Sequence, residues 1–99
     1  MTDMVEAARR ALGEVLDPEA GLSVIDLGLI YAIEARGTTL GVTMTFTTEA
    51  CPVGPMLAGA VERALLAVPG VESVELSVTF DPPWTPERIS EAGRALLAR

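Results

Sequence analysis

Between residues 39 and 80 the apolar period of the chain changes twice, which leaves few ways for it to fold. Leu40, Val42, Met44 and Phe46 alternate with Thr39, Gly41, Thr43, Thr45 and Thr47. This is the two-residue period of a strand with one buried face, running to about Thr47. Val53, Leu57, Ala60, Val61, Ala64, Leu65 and Val68 then recur at helical spacing. Pro69-Gly70 stops that helix, which spans about Val53 to Val68. The period returns to two from Val71 to Phe80, with Val74, Leu76, Val78 and Phe80 on one face. A strand, a helix and a strand in this order form a crossover, so the two strands run parallel with the helix layered on their sheet.

The flanks extend the pattern. Leu29, Tyr31, Ile33 and Ala35 alternate with Ile30, Ala32, Glu34 and Arg36, which predicts an earlier strand. Arg36-Gly37-Thr38 joins it to the next strand as a tight hairpin, so that pair is antiparallel. Before it, a helix is predicted from about Asp3 to Leu16. Asp3 and Glu6 are spaced like a capping box, and Val5, Ala8, Leu12, Val15 and Leu16 form the apolar stripe. Asp17-Pro18 ends that helix, because the residue before proline avoids helical geometry. After the last strand, Asp81-Pro82-Pro83-Trp84 is a stiff link, and Trp84 reads as an anchor that packs the last helix. Thr85-Pro86-Glu87 reads as the start of that third helix, with Ile89, Ala92, Leu96 and Leu97 on its apolar face. The order α-β-β-α-β-α predicts an α+β two-layer sandwich on a small mixed three-stranded sheet, in one domain over 1–99. Whether the third strand pairs with the first or the second stays open.

Composition removes several classes of function. The net charge is −7, from 14 acidic residues against 7 arginines. That is the opposite of a basic nucleic-acid footprint. The chain has no His and no Lys, so a His-driven triad, a His metal site and a Lys Schiff base are all excluded within one subunit. One cysteine cannot form an internal disulfide. No apolar run approaches the ~18 residues of a membrane span, and the start lacks a secretory pattern. These features together predict a cytoplasmic protein without a nucleic-acid or membrane partner.

The single thiol, Cys51, falls in Thr47-Thr48-Glu49-Ala50-Cys51-Pro52-Val53-Gly54-Pro55, between a strand and a helix start. Free N–H groups and the helix dipole favour the thiolate there, and the thiolate is both nucleophile and metal ligand. The plainer reading is a small buried core group. Asp26, in Ile25-Asp26-Leu27-Gly28, is a carboxylate in an apolar run. Its plainer role is a turn residue accepting backbone N–H bonds, and its chemical role is a metal ligand or proton acceptor beside Cys51. Thr47 and Thr48 finish the strand, and their hydroxyls could hold a ligand next to the thiol.

Asp17-Pro18-Glu19, Ser23-Val24-Ile25-Asp26-Leu27-Gly28-Leu29-Ile30-Tyr31, Val42-Thr43-Met44-Thr45, Cys51-Pro52 and Asp81-Pro82-Pro83-Trp84-Thr85-Pro86-Glu87-Arg88 occur in this order. Together they resemble the SufT/PaaD-like domain family of metal–sulfur cluster biosynthesis proteins, which includes the cytosolic iron–sulfur targeting factors of eukaryotes. The resemblance runs from about Val5 to the last helix. It implies an iron–sulfur cluster assembly or maturation factor, with Asp26 and Cys51 as reactive positions and Thr47 and Thr48 beside the cofactor. Ala50 stands where relatives commonly have Gly. The chain also lacks the Cys-rich C-terminal extension of the PaaD subgroup, which favours a general assembly role.

A cluster usually takes four thiolate-type ligands, and this chain has one. A transient cluster or iron bound at Cys51 would therefore be shared with a client protein, a second subunit of a homo-oligomer, or a small thiol. The expected partners are iron–sulfur assembly or client proteins. This favours a carrier or targeting adaptor over an enzyme. The alternatives are a thiol-dependent enzyme using Cys51 with Asp26, and a structural interaction module with an inert cysteine.

Overall fold

The computed structural model describes residues 3–98. The elements follow in the order α1 (Met4–Leu12), β1 (Ile30–Arg36), β2 (Thr39–Met44), α2 (Gly54–Leu66), β3 (Ser73–Val78), a short 3₁₀ turn at Pro86–Arg88, and α3 (Glu91–Leu97). This is the predicted α+β order, and the sheet is mixed. β1 and β2 pair antiparallel, and β2 and β3 pair parallel in register from Thr39↔Ser73 to Met44↔Val78. The open question of pairing is settled by the strand order β1-β2-β3, with the second strand in the centre.

α1 and α2 lie side by side on one face of the sheet, α1 over β1 and α2 over β3. The core fills the space between. Ala8 and Leu12 of α1, Leu40, Val42 and Met44 of β2, and Leu57, Val61 and Leu65 of α2 are all buried. β2 shows the cleanest alternation because it is central, and its outward residues Gly41 and Thr43 are only partly covered. Burying a Val, Leu or Met side chain contributes about 1.5–3 kcal/mol each, so this face is the main source of stability. The opposite face is polar. There Arg36 pairs with Glu34 on its own strand, β1, and reaches across the central strand to Glu75 of β3. Gly41 leaves the space under its guanidinium.

Several predicted boundaries shift for local reasons. α1 stops at Leu12 with Gly13 as its C-cap, not at Leu16. Asp3 does cap it, accepting the Val5 N–H at 3.1 Å. Val15 and Leu16 leave the helix because the chain turns back on itself, with Val24 N bonded to Val15 O and a bridge between Leu16 and Ser23. The buried Asp17 carboxylate organises that turn, accepting the N–H groups of Glu19 and Ala20. In β1 the strict alternation breaks at Tyr31, where a bulge separates Ile30↔Met44 from Ala32↔Thr43. Ile30 and Ile33 then both pack toward the core. Among the described residues no helix is long and apolar enough to cross a membrane.

Candidate functional site

Three irregular segments meet at one end of the sheet, and the ladder itself puts them there. Thr45 N donates to Leu29 O at 2.8 Å, and Thr79 N donates to Met44 O at 2.9 Å, so pairing continues one step beyond the strands. The 25–29 turn enters this end, the 46–53 loop leaves β2 from it, and the 80–84 link leaves β3 from it. A parallel β2–β3 pair makes this unavoidable, because both strands end on the same side.

Cys51 lies in the loop after β2, half-buried. Its N–H donates to Thr48 O at 3.3 Å, and its carbonyl accepts from Gly54 N at 3.2 Å, so it sits in consecutive tight turns. α2 begins at Gly54 with Val53 as N-cap, which puts the thiol three residues ahead of the first helical residue. The loop is anchored by an aromatic contact where α2 begins. A Cβ on the buried Gly54 would come within 2.9 Å of the Phe46 ring, and that ring lies 6.2 Å from Phe80. In the same loop Thr47 is half-buried, while Thr48 and Glu49 are exposed.

Asp26 sits in a turn in which its own N–H donates to the Ser23 hydroxyl at 3.0 Å. Its carboxylate accepts the Ser90 hydroxyl at 2.8 Å, and its carbonyl accepts Ser90 N–H at 2.7 Å. The topology thus brings the Asp26 and Cys51 segments to the same end of the sheet. Among the described residues, however, the side chain hydrogen-bonded to the carboxylate is Ser90 rather than Cys51 or a threonine of the loop.

The C-terminal segment packs on the Asp26 turn, through Trp84 and through close contacts at Gly28 and Gly93 that the sequence pattern did not mark. Trp84 Nε1 donates to Leu27 O at 2.7 Å, which makes this ring the anchor on the Asp26 turn. Gly28 adopts φ +76°, and a Cβ there would collide with the Arg88 carbonyl. Gly93, the buried residue of α3, has Asp26 O and Leu22 within 3.3 Å of the place a Cβ would take. The third helix does not begin at Thr85 as its local sequence predicts. Thr85 starts only the 3₁₀ turn, and the helix begins at Glu91 with Ser90 as N-cap, accepting Gly93 N–H at 2.9 Å. Its expected apolar face is also revised, since Leu96 and Leu97 are exposed and Gly93 makes the contact.

A groove of about 470 Å³ runs beside the turn, lined by Gly28, Ile30, Tyr31, Pro82 and Arg88. The Tyr31 hydroxyl donates to Pro82 O at 2.8 Å, and the Arg88 guanidinium lies 4.6 Å over the Tyr31 ring. Nothing in their local sequence pattern announces this pair. Among the described residues, no cluster of three or more Cys, His, Asp or Glu side chains could hold a metal ion. Chemically the loops at this end of the sheet therefore carry one soft ligand, Cys51, and three carboxylates, Asp26, Glu49 and Asp81, on separate segments.

Known proteins resemble this chain in sequence and fold. A family profile described as "Iron-sulfur cluster assembly protein" matches residues 5–78, which take in both Asp26 and Cys51. Over 88 residues the chain is 35% identical to the Fe-S protein maturation auxiliary factor YitW of Bacillus subtilis, covering 88% of this chain and 86% of that protein. It is 32% identical over 84 residues to the Fe-S protein maturation auxiliary factor SufT of Staphylococcus aureus, covering 84% of this chain and 96% of that one. It also resembles, at 36% identity over 79% of its length, 22% of a longer iron-sulfur cluster carrier protein of Synechocystis. A crystal structure of a domain of unknown function from Bacillus anthracis superposes with a TM-score of 0.92 at 32% identity, covering 96% of this chain and 92% of the other. With this agreement of sequence and fold, the chain belongs to the SufT-like family of iron–sulfur cluster assembly proteins.

Proposed function

We propose that the protein matures iron–sulfur proteins as a carrier or targeting adaptor that acts through Cys51. The observation that carries this reading is the family match over residues 5–78, which includes the half-buried thiol and Asp26. Relatives named as maturation auxiliary factors and as a cluster carrier support it. One thiolate is too few to keep a cluster that asks for four ligands. It suits a cargo that is received and passed on, with the remaining ligands coming from a client, a second copy of the chain, or a small thiol. Asp26 and the hydroxyls of Thr47 and Thr48 serve at the rim of the same site. The reading places the work in the cytoplasm, where thiols stay reduced.

The test is the activity of an iron–sulfur enzyme in cells whose own copy of the factor has been deleted, restored with the wild-type chain or with Cys51→Ser. Serine is nearly isosteric, so the fold should survive, but its hydroxyl is a poor ligand for soft metal–sulfur chemistry. Wild type is expected to restore the client, and Cys51→Ser is not. Full rescue by the serine variant removes the thiol from the mechanism and leaves a surface adaptor.

A further inference from the structure

We propose that Ser90 is a positioning residue for Asp26, linking the C-terminal segment to the site at the end of the sheet. This rests on the reading that Asp26 acts at that site. The geometry of the hydroxyl carries the proposal. Ser90 Oγ accepts Gly93 N–H at 2.9 Å and lies 2.8 Å from Asp26 Oδ1. A serine hydroxyl has one proton. With its acceptor side taken by Gly93, that proton is committed to the carboxylate. One oxygen of Asp26 is thereby fixed, and the other has no hydrogen-bond partner among the described residues. The link is rigid on both sides. Ser90 N–H donates to Asp26 O at 2.7 Å, and Trp84 Nε1 donates to Leu27 O at 2.7 Å. Neither Gly28 nor Gly93 leaves room for a methyl group at the contact. Packing this close holds a carboxylate in one rotamer, which a site built on a turn needs.

A helix cap and a positioning contact can be separated by choice of side chain. Asp is as good an N-cap as Ser, so Ser90→Asp keeps the bond to Gly93 but sets a carboxylate against Asp26. Ser90→Ala removes both bonds, and Ser90→Thr keeps both. Trp84 is the only tryptophan, so its emission reports whether the segment stays docked. The experiment measures Trp84 emission on the purified full-length variants and client-enzyme activity in deleted cells. Ser90→Thr is expected to match wild type in both. Ser90→Ala and Ser90→Asp are expected to keep the emission and to lose maturation by roughly tenfold or more. Wild-type maturation by either variant overturns the proposal. A loss accompanied by a red-shifted emission overturns it too, because the role is then structural. Asp26→Asn, run alongside, isolates the premise: full maturation there removes Asp26 from the mechanism whatever the Ser90 variants do, and the positioning role falls with it.

Discussion

Gly28 shows how much one residue at the rim determines. Its φ of +76° already favours glycine, and the Arg88 carbonyl occupies the space a side chain would need. Gly28→Ala is expected to cost about 2–4 kcal/mol, from strain plus displacement of the Arg88 turn. The midpoint of denaturant unfolding measures this, and an unchanged midpoint would contradict the contact. At Cys51 the expectation runs the other way. The thiol is half-buried in a loop, and it lies outside the buried core cluster. Iodoacetamide should therefore modify the native protein fully, with little change in thermal unfolding. Modification only after unfolding would place the sulfur out of reach. The sequence showed where Cys51 lies because its neighbours decide that: a strand on one side and a proline-bearing helix start on the other. It did not show the fate of Asp26, whose partner Ser90 is 64 residues away and reached only through the tertiary fold.

Among the elements, the C-terminal segment was the least legible. Thr85-Pro86-Glu87 has every local mark of a helix start, yet tertiary contact overrides it after three residues. Ser90 reaches Asp26, and the chain must straighten at Ile89, with ψ 131°, before α3 can begin. Periodicity located β1 but could not foresee the bulge at Tyr31, because a bulge adds a residue without changing the apolar count. Trp84 anchors this segment while only half-buried, so Trp84→Ala is expected to cost about 2–4 kcal/mol, somewhat below a fully buried ring. Part of that is the orphaned Leu27 carbonyl, and Trp84→Phe should isolate it at about 1–3 kcal/mol. Thermal unfolding of the two variants checks both figures. Glu87 offers a pH handle on the same turn. The Thr85 hydroxyl and then the backbone N–H of Glu87 hold its carboxyl below the ordinary 4.5; desolvation opposes them, and the charge of Arg94 adds a smaller lowering. A lowered value stabilises the folded state above pH 4.5 and ceases to do so as the pH falls through the folded value. Glu87→Gln should therefore lower the unfolding midpoint slightly at neutral pH, and the difference should shrink below pH 4.5.

For the whole molecule, the sequence was most readable where burial is one-sided. The inward residues of β2 and α2 follow from period alone, because a central strand and the helix above it must present an apolar face. The order of the strands was not readable, since either neighbour satisfies a crossover. The polar face of the sheet carries less energy. Arg36, Glu34 and Glu75 are each more than half exposed, so Arg36→Ala should change stability by less than about 1 kcal/mol and leave maturation intact. A larger loss of stability would mean that the network across Gly41 holds the sheet together. The parallel register of β2 and β3 puts the 46–53 loop and the 80–84 link at one end of the sheet and the hairpin at the other. The hairpin at Gly37 and Thr38 lies at that far end, where Glu72 N–H also closes onto Thr38 O. The length of β2, about 17 Å, separates it from the thiol loop. Thr38 is exposed, so it is the natural place to attach the protein to a sensor surface or a bulky reporter. Immobilised there, every copy would present its cysteine to the solution, and capture of a client could be followed with the thiol free.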